Sequence, residues 1–125
     1  MLVAISAQGD NLDALVEPRF GRCERFLVID TDTFAFEVVP NPNLNASGGA
    51  GIQTAQMLAH QQVQAVLTGH CGPNAFRTLQ AAGITMHVDV TGTVRQAVEQ
   101  YVAGTLTPAA QPDVQSHSGQ QGRQA

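Results

Sequence analysis

The segment at residues 69–76, with the sequence GHCGPNAF, holds the side chains with the clearest chemical potential. His70 and Cys71 stand next to each other there, and imidazole and thiolate are both common metal ligands. Glycines flank the pair and allow tight backbone turns, while Pro73 is suited to the first position of a helix. Backbone N–H groups at a helix start attract negative charge. The segment therefore predicts a loop that binds an anion or a metal ion.

The sequence leaves open how many ligands this loop supplies. Adjacent residues on a tight loop seldom both point at one ion, and the paired spacings of a four-ligand zinc site do not occur. Cys23, the only other cysteine, is placed to join Cys71 from a facing loop. The alternative is that Cys71 is a small buried side chain and that His70 lies on the surface.

All six basic residues of the chain are arginines, and Arg19, Arg22 and Arg25 fall within seven positions. Guanidinium groups offer forked donors to small anions. The formal net charge of −4 argues against general nucleic-acid binding. The cluster thus predicts a site for one small, specific anion. The alternative is a solvated face on which the arginines pair with three acidic neighbours, Glu17, Glu24 and Asp30.

A glycine-rich run at residues 47–51, with the sequence SGGAG, precedes a helical pattern. Such a run permits close backbone approach and leads into a helix start that favours anions. It lacks the Gly-Lys-Ser/Thr of a nucleotide-binding loop and does not directly follow a strand. It is interpreted either as part of an anion site or as a connector that packs the helix against the sheet.

The elements that must position these loops follow from hydrophobic patterning. An unbroken apolar run at residues 2–5 predicts a central strand covered on both faces. Further strands are predicted at residues 26–30, 34–39, 63–68 and 84–88, with the first two forming a hairpin around residues 31–33. Helices are predicted at residues 50–61, 73–82 and from Thr93, which begins a capping-box pattern, to Gly104. The order β-β-β-α-β-α-β-α predicts an α/β fold with a five-stranded mixed sheet and three helices.

This order brings the chemically suggestive loops together. Strand–helix–strand units imply parallel neighbours, so the first, fourth and fifth strands should run side by side in one direction. The loops after the first, third, fourth and fifth strands then share one edge of the sheet, where open α/β sheets bind ligands. These loops contain residues 19–23, 47–51, 69–72 and 89–92. The sequence therefore predicts one composite site.

Length and composition predict a single domain over residues 1–106 and a disordered tail over residues 107–125. The tail is rich in Pro, Gln, Ser and Gly and almost free of apolar residues. No apolar run approaches the ~20 residues of a membrane span, and no secretory signal pattern begins the chain. A cytoplasmic protein without a membrane partner is expected.

Three pieces of the sequence together resemble the nitrogenase accessory-factor family, whose domain is named for dinitrogenase iron–molybdenum cofactor biosynthesis. These pieces are RFGRC at residues 19–23, GAGIQTA at residues 49–55 and GHCGPNAF at residues 69–76. The resemblance extends over residues 1–106, and in size the chain is similar to the branch of orange proteins. Nitrogenase-pathway members often carry a histidine where Arg19 stands. That position here offers charge without a metal ligand.

The resemblance implies a ribonuclease-H-like fold and a non-enzymatic role as carrier or assembly factor for a metal–sulfur cluster. The cluster would be anionic and molybdenum-containing, of a molybdenum–copper sulfide or iron–molybdenum type, with a protein that donates or accepts it. The expected cluster-binding residues are Arg19, Arg22, Ser47, Gly48, Gly49, Gly51, Gly72 and Asn74. The optional metal ligands are Cys71, His70 and Cys23.

Two other functions fit the same residues. A regulatory module could use the composite edge to bind a protein partner without a metal cluster. A ribonuclease-H-like nuclease would need clustered carboxylates, for which Asp10, Asp13, Asp30 and Asp32 are enough in number. Asp30 and Asp32, however, fall in the predicted hairpin turn, where aspartate is a common turn former.

Overall fold

The computed structural model of the 125-residue chain describes residues 1–42 and 50–110. The predicted site residues Ser47, Gly48 and Gly49 lie outside the described residues, as do residues 111–125 of the predicted tail. All other predicted site residues are described.

The described residues form a five-stranded mixed sheet with three helices, as predicted. The strands are β1 (Leu2–Ala7), β2 (Arg25–Asp30), β3 (Phe36–Pro40), β4 (Ala65–Leu67) and β5 (Thr85–His87), and the helices are α1 (Ala50–His60), α2 (Pro73–Ala81) and α3 (Val94–Ala103). The strand order is β3-β2-β1-β4-β5. β4 pairs in parallel with β1 and β5, whereas β2 pairs antiparallel with β1 and β3. The ribonuclease-H-like name stays a prediction.

The central strand β1 is buried on both faces because its side chains alternate between two apolar clusters. Ala4 packs with Phe26 and Leu58 on the side covered by α1 and α2. Ile5 packs with residues of α3 on the other side. The continuous apolar run at residues 2–5 therefore reflects a strand with a helical layer on each face.

The hairpin between β2 and β3 differs from its prediction. The Asp30 N–H donates to the Ala35 carbonyl (2.9 Å), and the Phe34 N–H donates to the Asp30 carbonyl (2.7 Å), so the turn extends to Phe34. Phe34 has φ +63°, a left-handed conformation that no extended strand can hold. β3 consequently begins at Phe36. β4 and β5 are also shorter than predicted, at three residues each.

The chain continues past α3 along the outer side of β5. The Ala109 N–H donates to the Met86 carbonyl at 2.7 Å, and Ala109 packs against the cluster under α1 and α2. Residues 107–110 of the predicted tail are thus described, and they contact the sheet.

His87, on β5, is buried and packs edge-on against Tyr101 with 5.3 Å between ring centroids. None of the described helices is long and apolar enough to cross a membrane.

Candidate functional site

The arginine-bearing loop after β1 is joined directly to the loop that carries His70. The His70 N–H donates to the Pro18 carbonyl at 2.7 Å, and the Phe20 N–H donates to the His70 carbonyl at 3.3 Å. A Cβ atom on Gly69 would lie 2.6 Å from the Pro18 Cα atom, so no larger residue fits between the two backbones. The two loops that were predicted to converge are therefore held together by main-chain contacts.

Gly69 has a different structural role from the one predicted. The sequence predicts a glycine that permits a tight turn, but the glycines with positive φ among the described residues are Gly83, Gly92 and Gly104. Gly72 is extended, with φ −77° and ψ 171°. Gly69 is required because the backbone of another loop lies against it.

A second set of small residues brings the starts of α1 and α2 to the arginine loop. A Cβ atom on Gly21 would lie 3.3 Å from the Gly51 Cα atom, and a Cβ atom on Gly51 would lie 3.3 Å from the Ala75 Cβ atom. The loop thus packs on the first turn of α1, and α1 packs on the first turn of α2. Gly51 is the described part of the glycine-rich run, and its place here fits both interpretations of that run.

The loop after β5 closes the composite edge from the other side. The Asp89 N–H donates to the Gly69 carbonyl (2.8 Å), and the Val16 N–H donates to the Gly92 carbonyl (2.9 Å). Within the described residues, parts of all four predicted loops therefore meet. Of the loop at residues 47–51, only Ala50 and Gly51 are described. The predicted convergence at the carboxyl edge of the parallel strands is confirmed.

The three clustered arginines line a cleft of about 500 Å³ beside this junction. The cleft is lined by Ala7, Gln8, Glu17, Arg19, Arg22, Glu24 and Arg25. Its volume lies within the ~300–1,000 Å³ typical of small-molecule sites. Its lining carries three positive and two negative side chains, and Asp10, which pairs with Arg25, adds a third carboxylate beside it, so the cleft offers guanidinium donors to an anion without an excess of positive charge. The predicted site residues Arg19 and Arg22 both lie at this cleft.

The arginines differ in how firmly the protein holds them. Arg25 is only 21% exposed and is braced by three acceptors: Asp10 Oδ1 and Glu24 Oε1, each at 2.9 Å, and the Ala7 carbonyl at 3.2 Å. Arg19 is 69% exposed, and its Nε lies 3.2 Å from Glu17 Oε2. The same oxygen accepts the Arg19 backbone N–H at 3.1 Å.

These contacts give the arginines separate roles. Arg25 is a structural brace between β1 and β2, whereas Glu17 orients Arg19 without covering it.

The predicted pairing of arginines with Glu17 and Glu24 is therefore present. The third predicted partner, Asp30, accepts the Asp32 backbone N–H at 2.8 Å instead. The Arg19–Glu17 pair joins the exposed Arg19 guanidinium to a Glu17 side chain that is only 13% exposed.

The start of α2 is open to an acceptor, in contrast to the start of α3. Gly72 stands at the N-cap of α2, and among the described residues no side chain caps that helix. At α3, the Thr93 side chain accepts the Gln96 N–H in the predicted capping box. The N–H groups of Val94 and Arg95, the first two residues of α3, donate to the carbonyls of Ala14 and Leu12, respectively. Because the N–H groups of the first turn attract anions, α2 is the helix suited to a ligand.

Sequence reasoning missed Arg77, just after the first turn of α2. Its Nη2 donates to the side-chain oxygen of the predicted site residue Asn74 at 2.6 Å. This contact places a further cation beside the uncapped helix start. The three-residue spacing from Asn74 was the available signal, since residues three apart are neighbours on a helix surface.

Sequence reasoning also missed Asn41, which directly follows β3. Asn41 is buried, and its Nδ2 donates to the Cys23 carbonyl at 2.9 Å. Its Oδ1 accepts from the Thr54 hydroxyl at 3.3 Å. Asn41 thus ties the end of the arginine loop to α1. No local pattern marks this role, because both partners are distant in sequence.

The two cysteines lie at the composite edge, but both are buried, each with about 1% exposure. The Cys23 thiol donates to the Phe20 carbonyl at 3.3 Å, and the Cys71 thiol donates to the Gly72 carbonyl at 3.5 Å. His70 is exposed. Within residues 1–42 and 50–110, no three His, Cys, Asp or Glu side chains are grouped so that they could hold a metal ion. Ligation by Cys23, Cys71 and His70 stays a prediction.

The carboxylates required by the nuclease alternative are separated. Asp10 pairs with Arg25 at 2.9 Å and Asp13 pairs with Arg95 at 3.4 Å, in both cases on the surface. Asp30 and Asp32 lie in the turn after β2, as predicted. The described carboxylates thus do not assemble into the metal site that a nuclease of this kind would use.

Cys23 is predicted to be chemically inert in the folded protein. Burial, with a smaller contribution from the Glu17 charge, raises the pKa of the Cys23 thiol from 9.0 to about 12. At pH 8 about one-tenth of a thiol with pKa 9.0 is thiolate, against about one part in 10⁴ for a pKa of about 12, and only a thiolate is alkylated rapidly. In a Cys71→Ser variant, iodoacetamide at pH 8 should therefore label Cys23 in urea but not under native conditions, as measured by intact mass. Rapid native labelling would contradict this assignment.

Comparisons with known proteins identify the family of this chain and proteins of similar structure. The family described as dinitrogenase iron–molybdenum cofactor matches residues 1–104. The apo form of the orange protein from Desulfovibrio gigas is similar in structure, with a TM-score of 0.87, 46% identity, and coverage of 90% of this chain and 95% of that chain. A Thermotoga protein described as NifB-like superposes with a TM-score of 0.74 at 34% identity, covering 86% and 91% of the two chains. An uncharacterized protein of Methanocaldococcus jannaschii is 26% identical over 94 residues, which is 73% of this chain and 80% of that protein.

Proposed function

The chain belongs to the dinitrogenase iron–molybdenum cofactor family, and from this premise we propose that it is a non-enzymatic carrier of an anionic, molybdenum-containing metal–sulfur cluster. The observation that carries the proposal is the arginine-lined cleft of about 500 Å³, whose loop is hydrogen-bonded through Pro18 and Phe20 to His70, just before the uncapped start of α2. The cluster is the cargo of this protein. Iron or copper is the second metal in the proposal, and a protein that donates or accepts the cluster is the proposed partner.

The site holds its cargo by charge and by main-chain donors. Thiometallate clusters carry negative charge spread over a shell of sulfides. Arg19 and Arg22 offer guanidinium donors to that shell, with Arg19 oriented by Glu17. The backbone at Gly51, Gly72 and Asn74 adds helix-start dipoles that favour an anion. Ser47, Gly48 and Gly49 are proposed to complete the cradle next to Gly51.

Ligation by protein sulfur is not required for this function. A preassembled cluster already has a complete sulfide shell, and the buried Cys23 thiol is protonated at neutral pH because its pKa is raised to about 12. A site without strong ligands also suits a carrier, since the cargo must be released to an acceptor. Cys71, His70 and Cys23 remain optional ligands in this proposal.

Reconstitution tests the proposed function. The protein is incubated with tetrathiomolybdate plus copper, and separately with tetrathiomolybdate plus iron, and is then desalted. Retained metals are measured by mass spectrometry and bound sulfide chromophores by visible absorption. We expect molybdenum to co-elute with the protein in at least one regime, with a visible band that free tetrathiomolybdate does not give. A colourless, metal-free protein after both treatments would overturn the proposal.

A further inference from the structure

The edge strand β3 presents apolar side chains on a face of the sheet that none of the three described helices covers there. Phe36 is 40% exposed and Val38 is 38% exposed. Their partners on β2 are Ile29 and Leu27, which are buried on the α3 side of the sheet. The α3 layer thus covers β2 and stops short of β3.

The same two residues also direct their backbone polar groups outward. The Asp30–Ala35 and Glu24–Asn41 pairs are hydrogen-bonded across the hairpin, each at 2.9 Å. In an antiparallel ladder, such pairs alternate with pairs whose N–H and C=O groups point away from the partner strand. Counting along the register places Phe36 and Val38 among the latter. Their N–H and C=O groups therefore face the outer edge, where the described part of the chain supplies no further strand.

An edge with unpaired donors, unpaired acceptors and apolar side chains is a template for another strand. We propose that the occupant is β3 of a second copy of this chain, paired antiparallel about Val38. In that register, Val38 faces the partner's Val38 and exchanges two hydrogen bonds with it. Each Phe36 N–H donates to the partner's Pro40 carbonyl. The missing N–H of Pro40 costs one bond on each side but blocks none of the others.

Repulsion between the two Glu37 carboxylates favours the register centred on Val38 over the register centred on Glu37. Pairing about Val38 sets Glu37 opposite the partner's Val39, so the two Glu37 carboxylates are diagonal neighbours and not directly opposite each other. Pairing shifted to centre on Glu37 would set the two Glu37 carboxylates directly opposite each other, which is destabilising. The Val38-centred pair also keeps Phe36, Val38 and Pro40 of both copies on one apolar stripe. The strand is therefore complementary to its own antiparallel copy in one register.

Cysteine cross-linking tests both the association and its register. In the proposed pair, the two Val38 Cα atoms are about 5.5 Å apart, within the ~4.4–6.8 Å range of disulfides. A Val38→Cys variant should therefore form a covalent dimer under mild oxidation about tenfold or more faster than a Val102→Cys control, because pairing raises the effective thiol concentration. Val102 is a suitable control because it is an exposed apolar residue on α3. The native cysteines are both buried.

A Glu37→Cys variant reports the register. It should cross-link more slowly than Val38→Cys, because Glu37 faces the partner's Val39 and lies only diagonally to the partner's residue 37. Faster cross-linking of Glu37→Cys than of Val38→Cys would overturn the proposed register. Equal rates for Val38→Cys and Val102→Cys would overturn self-pairing. Sedimentation of the unmodified protein over a concentration series should show a mass rising toward twice that of the monomer, and a monomer at every concentration would also overturn the proposal.

Discussion

Replacing Gly69 with alanine is expected to lower the free energy of unfolding by about 2–4 kcal/mol. The added Cβ atom would lie 2.6 Å from the Pro18 Cα atom and 2.7 Å from the Pro18 carbonyl oxygen. Both are backbone atoms, so the contact cannot be relieved by a rotamer change. Overpacking of this kind costs about 1–3 kcal/mol, and weakening the His70–Pro18 hydrogen bond adds about 1 kcal/mol. The measurement is the urea midpoint followed by circular dichroism.

Gly83→Ala is the matched control for this substitution. Gly83 has φ +78° and open space around it, so alanine there meets backbone strain but no steric clash. The expected cost is about 1 kcal/mol. A Gly69→Ala variant that is as stable as Gly83→Ala would contradict the close approach of the two loops. Since the arginine loop depends on this junction, Gly69→Ala should also weaken cluster retention.

The double substitution Arg19→Ala, Arg22→Ala is expected to weaken retention of a reconstituted thiomolybdate cluster about 100-fold. A hydrogen bond to a charged group is worth about 1.5–3 kcal/mol, and the low end applies because both side chains are exposed. Since about 1.4 kcal/mol corresponds to tenfold, two independent losses multiply to this factor. The measurement is the molybdenum retained after repeated dilution and desalting, over a series of salt concentrations. Removing either arginine side chain should also reduce the dependence of cluster binding on salt concentration.

Arg95→Ala is the control for this pair. Arg95 is a partly exposed arginine that pairs with Asp13 at 3.4 Å on the first turn of α3, outside the cleft. Its removal changes net charge without touching the proposed site. Equal loss of molybdenum from Arg95→Ala and from the double variant would show that retention depends on total charge alone. Full retention by the double variant would remove the assigned role of the arginines.

Local patterns in the sequence were sufficient to predict most of the fold. The apolar run at residues 2–5 predicted a strand buried on both faces, and β1 is one. The Thr93 capping box was also predicted and is confirmed. In each case the signal lies within a few residues of the feature. Element ends were predicted less well, as at Phe34, because a turn conformation depends on hydrogen bonds across the hairpin.

The location of the candidate site could be predicted from the sequence, but the contacts of its side chains could not. Strand order puts Arg19, His70 and Asp89 on loops of one edge, and the structure joins those loops by hydrogen bonds. The partners of individual side chains were not predictable. Asn41 bonds to Cys23 and Thr54, which are 18 and 13 positions away, and no spacing rule connects them. Arg77 was overlooked although its spacing from Asn74 marked the contact.

The sequence by itself determined the elements, their order and the family of this protein, because periodicity, caps and short motifs are local properties. The tertiary structure alone decided why Gly69 must be glycine, since the constraint is the Pro18 backbone 51 positions earlier in the chain. It also decided that Cys23 is a buried thiol and that Arg25 is a brace while Arg19 stays exposed. Burial and ion pairing depend on what folding brings alongside a residue, and residue type does not encode that.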